Sequence, residues 1–598
     1  MISTAAMDPL NQARFVEIMQ RFAELQTWRN LFSQQWEEIA ELILPTSRNT
    51  FYYQTFNFPG MKKTDRQVDA SGMMALSRFA AICDSLLTPR NMFWHGLGPE
   101  LEDLKNDRQT QEWFQKVVKI LFRLRYAPIA NFSAQNQNHY TQLGAFGNAG
   151  MFIDQAMDAQ GNPLRMLRYK ELPLGETFFT ENHQGLIDGF IRWYRLTARQ
   201  AMQKFGEDRF PEALLPALEA HSEYPYNFLH CVWPRDDYDP HALDQKRMPF
   251  TSIHVSVEGS CILHESGYHT FPAAISRYEQ TPGETYGRSP AMMVLPALKT
   301  LNAEKATFLK QGHRAADPVL LTADDGLIDG VSLRPGALNK GGVTSDGKPL
   351  VTILPTGQIQ VSKEMMDEER SLIGDAFLVS LFQILEETPQ MTATEVIERT
   401  NEKGILLAPT VGRQQSEYLG PLIEREIDLA SRMGLLPPMP PQLRKALGAY
   451  EVYYTSPLSK AMRAQEAAGF MRTLSVVQEV VQVTQDPSPL DLFAFDRAIP
   501  EIAVDVQSVP ITWMATDKEV QQKRQGRAQA QQRQEQIQAA PAQAALMKAQ
   551  AAQQKSGGGG APGGMGAPGG MGQQQPPPGT PAPQQAPTDQ SQPQGPGQ

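Results

Sequence analysis

The chain has 598 residues, of which 41% are hydrophobic and 20% are charged, an ordinary balance for a soluble globular protein. No apolar run reaches about 18 residues, so the sequence predicts no membrane span. The three cysteines, Cys83, Cys231 and Cys261, are far apart, which favours a reducing compartment over a disulfide framework. The first residues lack a basic segment followed by an apolar one, so secretion is not expected.

The net charge of −10 is unevenly distributed along the chain. Residues 521–598 carry six basic and two acidic side chains, a net of +4, which leaves −14 for residues 1–520. Proteins that grip nucleic acid through its phosphates are normally basic. The acidic body therefore argues against tight DNA binding. It is compatible with DNA that slides past a surface without being held.

The first half of the sequence predicts an α+β fold that is predominantly α. Helices are predicted over residues 8–44, 70–87 and 107–126. In the first helix, apolar residues that include Trp28 and Leu31 recur every three or four positions, which predicts one core-facing stripe. Residues 150–272 contain short β-branched and aromatic runs typical of strands. One helix, Ala198–Phe205, is expected between them with Thr197 as its cap.

Two long helices are predicted on either side of a compact insert. Ser289 and Pro290 are typical of an N-cap and a first helical position, and they predict a helix to about residue 316 with a kink at Pro296. Residues 317–360 are rich in glycine and proline, which predicts loops and short strands. A second long helix is predicted over residues 361–387.

A bend and a helix restart follow the second long helix. Pro389 ends the helix, and Thr392 with Glu395 has the form of a capping box, in which each side chain satisfies an orphan backbone N–H. Further helices are predicted over residues 393–403, 411–433, 441–447 and 459–484. From Ser556 onward glycine, proline and glutamine dominate, so a disordered tail is expected.

Several blocks of this sequence, taken in order, resemble the portal (head-to-tail connector) proteins of short-tailed, podovirus-type phages. They are Trp28–Pro45, Asp69–Leu97, Asn131–Asp154, Leu196–Gly206, Tyr286–Lys305 and Met391–Pro438. The fifth block opens with Tyr-Gly-Arg-Ser-Pro, in which Ser289 replaces the family's usual glycine. The last opens with Met-Thr-Ala-Thr-Glu-Val, a box that starts a helix in this family.

The resemblance implies a portal-protein fold with a wing, stem helices, a clip insert, a C-terminal helical crown and a disordered tail. The corresponding regions are 1–288 (wing-like α+β region), 289–316 (first stem helix), 317–360 (clip), 361–388 (second stem helix), 389–458 (tunnel loop and wing helices), 459–555 (crown) and 556–598 (tail).

The resemblance also implies a homo-oligomeric ring, usually a dodecamer, at the portal vertex of the virion, assembled in the host cytoplasm. The implied partners are the terminase large subunit, the major capsid and scaffolding proteins, a tail adaptor protein and double-stranded DNA passing without sequence recognition. No catalytic, cofactor or metal-binding residue is expected, because the terminase supplies the translocating ATPase. The absence of a Gly-x-x-x-x-Gly-Lys-Ser/Thr motif agrees with that division of roles.

Candidate DNA-channel residues lie on the first long helix. Lys299, Asn302, Lys310 and His313 fall within about 80° of one another at about 100° per residue. A solvated helix face would show the same pattern, whereas in a ring each basic residue would be repeated as a positive belt. By the resemblance, the bend after the second long helix is the tunnel loop. It consists of Glu386, Glu387, Thr388, Pro389, Gln390 and Met391.

Two alternative functions stay open. One is another head–tail structural adaptor, and the other is a metal-dependent nuclease, which two clusters of polar residues suggest. The residues His254, Cys261, His264 and His269 include a Cys-x-x-His spacing that suits zinc. However, His254 alternates with apolar neighbours and is expected on the solvent face of a strand. Asp236, Asp237 and Asp239 have the chemistry to hold Mg²⁺, but they read more simply as a polar turn.

Overall fold

The structure is a computed structural model of the chain, which divides into two compact units, Met1–Met514 and Ala515–Gln598. It describes residues 9–51, 62–105, 107–158, 161–239, 244–322, 332–355, 359–379, 408–446, 448–455, 457–485 and 518–534, with a few short pieces between 488 and 548. Within these residues the fold is α+β and mostly α, as predicted. No helix in this described part is both long and apolar enough to cross a bilayer.

Helices form most of the first unit. They are α1 (Pro9–Leu42), α2 (Ser71–Leu87), α3 (Glu102–Lys105), α4 (Arg108–Arg125), α5 (Phe132–Phe146), α6 (Ala198–Phe205), α7 (Leu215–Glu219), α8 (Pro290–Met293), α9 (Leu295–Ala316), α10 (Ile359–Ala376), α11 (Gly420–Arg432), α12 (Pro441–Lys445) and α13 (Pro457–Thr484). A π-helical turn, Gln415–Leu419, leads into α11. The described part of the second unit is helical over residues 518–534.

Strands cluster between α5 and α8, with two short pairs elsewhere. They are β1 (His95–Pro99), β2 (Asn148–Met157), β3 (Pro163–Leu172), β4 (Thr177–Glu181), β5 (Ile187–Thr197), β6 (Pro225–Pro234), β7 (Phe250–Ser256), β8 (Cys261–Tyr268), β9 (Ala273–Arg277), β10 (Leu320–Thr322), β11 (Val351–Ile353) and β12 (Tyr450–Tyr454). All ladders are antiparallel, in the orders β3-β2-β9, β4-β5-β6-β7-β8, β1-β12 and β10-β11.

The five-stranded sheet is covered by helices on both faces. The first half of α1 inserts Ile18 and Phe22 against one face, where alternate strand residues such as Ile191 are buried. On the other face Phe205 of α6 packs against Phe228. Because successive strand residues point to opposite faces, the alternation of apolar residues along these strands supports both layers.

The apolar stripe predicted on α1 is wrong at two positions. Trp28 and Leu31 are 69% and 73% exposed, and the position between them that faces the sheet is taken by Arg29. Its guanidinium donates to the carbonyl oxygens of Leu174 (3.0 Å) and Gly175 (2.9 Å). A pattern of apolar residues assigns arginine to the polar face of a helix, so it could not place Arg29 on the buried face.

The helix starts predicted at Ser289 and Thr197 are confirmed. The Ser289 hydroxyl accepts a hydrogen bond from the Met292 amide at 3.0 Å, and Thr197 with Gln200 forms a capping box. The kink predicted near Pro296 appears as the break between α8 and α9. The second long helix, predicted to reach residue 387, first ends at Ala376, in a turn where Leu378 has a φ of 60°.

A buried ion pair joins α11 to α4 and to the sheet. Arg125 and Glu426 are fully buried, and the Arg125 Nε donates to Glu426 at 2.8 Å. Tyr169 of β3 donates to the same carboxylate. Burial and the neighbouring Arg125 lower the pKa of His95 well below its usual value, so its neutral ring can accept from the guanidinium at 3.0 Å. This network links four elements that are distant in sequence.

Breaking this pair is expected to be costly. Glu426→Gln leaves the Arg125 charge buried without its counter-charge, so the free energy of unfolding should fall by about 3 kcal/mol or more. Glu112→Gln, which removes the partly exposed pair with Arg108, should change it by less than about 1 kcal/mol. Thermal unfolding of both variants checks this, and equal midpoints would contradict it. The double variant Arg125→Met/Glu426→Leu should be less destabilised than Glu426→Gln.

Candidate functional site

The base of the two-helix hairpin formed by α9 and α10 is locked to the three-stranded sheet. The Asn148 side chain donates to the Gly287 carbonyl at 3.1 Å and accepts from the Gly287 amide at 2.8 Å. Gly147 has a φ of +75°, and a Cβ there would lie 2.6 Å from the Gly287 carbonyl oxygen. Two sequence blocks that lie about 140 residues apart therefore meet backbone to backbone, which requires glycine on both sides.

The start of the hairpin is fixed by two further side chains. The Ser289 hydroxyl caps α8 and also donates to the Ala145 carbonyl at 2.9 Å. The buried Tyr286 hydroxyl accepts from the Phe179 amide at 3.2 Å, and its ring packs edge-on against Trp36 at 5.3 Å between centroids. The serine that departs from the usual glycine of this block is therefore used as a helix cap.

The predicted channel residues of α9 differ in their surroundings. Lys299 is exposed and forms an ion pair with Glu38 of α1 at 2.7 Å. Asn302 is half-buried, and its side chain accepts from the Val68 amide at 2.7 Å. Lys310 and His313 are exposed on the outer half of the helix. The structure thus places Lys299, Lys310 and His313 on one exposed face, while Asn302 holds the segment that precedes α2. Their contact with DNA stays a prediction.

Both long helices are tied to Asp69. The Asn302 side chain accepts from the Asp69 amide at 3.3 Å, and Arg370 of α10 donates to the Asp69 carboxylate at 2.9 Å. Arg370 also donates to Asp367 on its own helix at 2.7 Å. Sequence analysis did not identify Asp69 or Arg370, because the signal lies in a contact between residues about 300 positions apart.

The insert is carried at the far end of the hairpin. In β10 and β11, Thr322 pairs with Val351, so the insert leaves and rejoins the hairpin at one point. The described part of the insert exposes large apolar side chains, with Leu333 at 69% and Leu338 at 85%. Binding residues are often carried on loops that a rigid scaffold positions, so these side chains are available for contact with another protein.

The predicted tunnel loop and its helix cap lie outside the described residues. This holds for Glu386–Met391, for Thr392 and for Glu395, so their roles stay predictions.

Comparison with known proteins gives the family. The model of the family described as bacteriophage head to tail connecting protein matches residues 16–512. The chain belongs to this family. This connector is 27% identical over 487 residues to the probable portal protein of Bordetella phage BPP-1, across 80% of this chain and 85% of that protein. It is 26% identical over 548 residues to the portal protein of Salmonella phage epsilon15, across 90% and 94% of the two chains. Together these matches support a phage portal function.

The connector's residues that suggested a metal site do not assemble into one. Among the described residues no group of three or more His, Cys, Asp or Glu side chains is placed to hold a metal ion. Asp236 and Asp237 form an exposed turn after β6, as the simpler interpretation predicted, and Asp239 lies 3.8 Å from Arg247. The nuclease alternative therefore gains no support from this part of the molecule.

The prediction that His254 faces solvent is wrong. His254 is buried beneath α6 and stacks on His230 at 4.1 Å between ring centroids. The β-ladder places Arg192, His230, His254 and His264 in one row across four strands. The alternation along β7 predicted one solvated face, whereas α6 covers the face that carries His254 and α1 covers the opposite face.

The row is surrounded by cations instead of metal ligands. The Lys204 ammonium donates to the Tyr194 hydroxyl at 2.7 Å, and the Arg209 guanidinium donates to His264 at 3.0 Å. Burial, aided by the Lys204 charge, lowers the pKa of His230 and His254 well below its usual value. Burial likewise lowers the pKa of Lys204 to about 7. Neutral stacked rings, hydrogen-bonded to hydroxyls, are therefore the folded form of this cluster.

Acid should destabilise the connector through this row. Since the folded pKa values of His230 and His254 lie below the unfolded value near 6.5, the stability that these two rings contribute is complete above about pH 6.5. It falls as the pH drops, by up to about 1.4 kcal/mol per pH unit for each of the two. His254→Phe, which keeps the ring stack, should reduce the drop in thermal midpoint between about pH 7.5 and about pH 5.5. His183→Gln, in the exposed turn between β4 and β5, is the control. An unchanged pH slope in His254→Phe would refute the assignment.

Proposed function

We propose that the connector forms a homo-oligomeric ring at the unique vertex of a phage capsid, through which double-stranded DNA is packaged and later ejected. Family membership and the two portal relatives support the ring, its virion location and its contacts with capsid and tail. The observation that carries the proposal within this chain is the α9–α10 hairpin. Its base is locked to the sheets and its tip presents an insert, so the two ends of the subunit can serve different partners.

The regions implied by sequence take the following roles in this proposal. Residues 1–288 and the helices between residues 408 and 458 form the wing, α9 and α10 form the stem, and the insert between them forms the clip. Residues 459–555 form the crown. The role is structural, and the motor that drives DNA is the terminase. Assembly takes place in the host cytoplasm with the major capsid and scaffolding proteins.

Electron microscopy of the purified connector tests the ring. Closed rings with a central hole, dodecameric by the family resemblance, are expected, because a heterologous interface repeated by rotation closes on itself. A chain that stays monomeric at every accessible concentration would overturn the proposal.

The insert is proposed to dock the terminase large subunit during packaging and the tail adaptor afterwards. Because Thr322 and Val351 are paired, residues 323–350 can be replaced by a short Gly-Ser turn without straining the hairpin. Rings should persist, while binding to either partner should fall by about tenfold or more.

Point variants make the insert test independent of the deletion. Leu333→Ser/Leu338→Ser should weaken binding of the terminase or the adaptor in the same direction. Leu186→Ser, at an apolar side chain that is 54% exposed in the turn between β4 and β5, is the matched control. Full binding by both insert variants would remove the docking role.

DNA is proposed to pass through the ring without being bound tightly. Residues 1–520 carry a net negative charge, so the ring repels phosphates overall. Strong contacts with the phosphates would slow the passage of DNA. A salt titration should give duplex DNA a dissociation constant of about 10⁻⁵ M or weaker at physiological salt, within the range of non-specific binding. Nanomolar or sequence-specific binding would show that the channel binds DNA tightly and would contradict this proposal.

A further inference from the structure

The outer face of α9 is basic. Lys299, Lys310 and Arg314 are exposed and lie within about 60° of one another around the helix. Small residues, Ala303 and Ala306, occupy the same face between them. We call Lys299, Lys310 and Arg314 the basic stripe. Because the residues between them are small, a second helix can approach this face closely.

The outer face of α10 is acidic. Glu364, Glu368 and Asp375 are exposed and lie within about 40° of one another around the helix. We call these three residues the acidic stripe. Met365 and Leu372 flank it and are 50% and 53% exposed. An apolar margin beside a charged row is typical of a surface that becomes buried against another protein.

Each stripe points away from the buried side of its own helix. The two helices pack against each other, and Leu301 of α9 with Met366 and Ile373 of α10 belong to one buried cluster. At about 100° per residue, Lys310 lies about 180° from Leu301, and Asp375 lies about 180° from Met366. The hairpin therefore presents a basic face on one helix and an acidic face on the other, the complementary pair that a head-to-tail interface between identical subunits requires.

The stripes also match in height. Asn302 and Arg370 both bind Asp69, so they mark the same level of the two antiparallel helices. At about 1.5 Å per residue, Lys299 lies about 4.5 Å below that level and Asp375 about 7.5 Å below it. Lys310 lies about 12 Å above it and Glu364 about 9 Å above it. With the hairpin running along the ring axis, rotation preserves these heights, so basic and acidic residues of neighbouring copies arrive at similar levels.

We propose that the basic stripe of one subunit pairs with the acidic stripe of the next subunit around the ring. The inference rests on the proposed ring and adds the residues that join its stems. Lys299, already bonded to Glu38 in its own chain, is held in place for a second carboxylate, Asp375 of the neighbouring copy. Leu309 beside the basic stripe is 44% exposed and supplies apolar area opposite Met365 and Leu372. This assignment directs Lys299 and Lys310 toward a neighbouring copy instead of the DNA channel.

Charge reversal tests the pairing. A chain with Lys299→Glu and Lys310→Glu has two acidic sides, and a chain with Glu364→Lys and Asp375→Lys has two basic sides. Each should lower the ring fraction by more than about tenfold, because every interface then joins like charges. A chain with all four changes has its charges exchanged and should assemble again. An equimolar mixture of the two single-sided variants should also assemble, as alternating rings.

The recovered assembly separates pairing from folding, because a misfolded variant cannot be restored by mixing. Arg199→Glu/Glu212→Lys, at exposed positions between β5 and β6, is the control and should assemble like the wild type. Normal rings from both single-sided variants, or no recovery in the mixture, would overturn the pairing. Normal rings from the Lys299→Glu/Lys310→Glu variant with altered DNA transit would overturn it in favour of the channel. Wild-type chains that never form rings would overturn the proposed function itself.

Discussion

The Asn148 side chain binds both backbone groups of Gly287, and the placement of the long helices depends on this contact. It joins the first residue of β2 to the turn that precedes α8, where Gly147 and Gly287 approach too closely for any side chain. Ser289 then caps α8 from the same turn and donates to α5. The direction of the hairpin is thus set by the end of the central strand of a sheet and not by a flexible connection. For a subunit that repeats around a ring, a small error in this angle would be repeated at every interface.

Buried arginines connect the layers that surround this contact. Arg29 ties α1 to the loop before β4, Arg125 ties α4 to α11, and Arg277 at the end of β9 binds Glu417 at 2.9 Å. A guanidinium directs several donors in a fixed plane, so it can satisfy carbonyls and carboxylates from different elements at once. These contacts specify which surfaces meet. The apolar clusters on either side contribute most of the stabilising burial.

The sequence was informative wherever the signal is local. Caps at Thr197 and Ser289 located helix starts, because a cap needs only residues three positions apart. Strands were harder to predict. In β3 charged residues alternate with Leu167 and Tyr169, and β12 pairs with β1 across more than 350 residues. No local sequence pattern predicts which distant strand will pair with β1. The same reason explains Trp28 and His254: burial of their positions is decided by layers that come from elsewhere in the chain.

The candidate site shows the same division between local and long-range information. Helical spacing correctly placed Lys299, Lys310 and His313 on one exposed face of α9. It could not show that Asn302 and Arg370 both bind Asp69. Without that shared contact, the heights of the acidic residues along α10 cannot be compared with those of the basic residues along α9. Exposed ion pairs contribute little each, about 0–1 kcal/mol. Opposite stripes of matched height therefore act mainly by excluding wrong registers, while the apolar residues beside them supply the buried area. A charge pattern of this kind gives a ring its orientation and repeat without demanding strong contacts at any single interface.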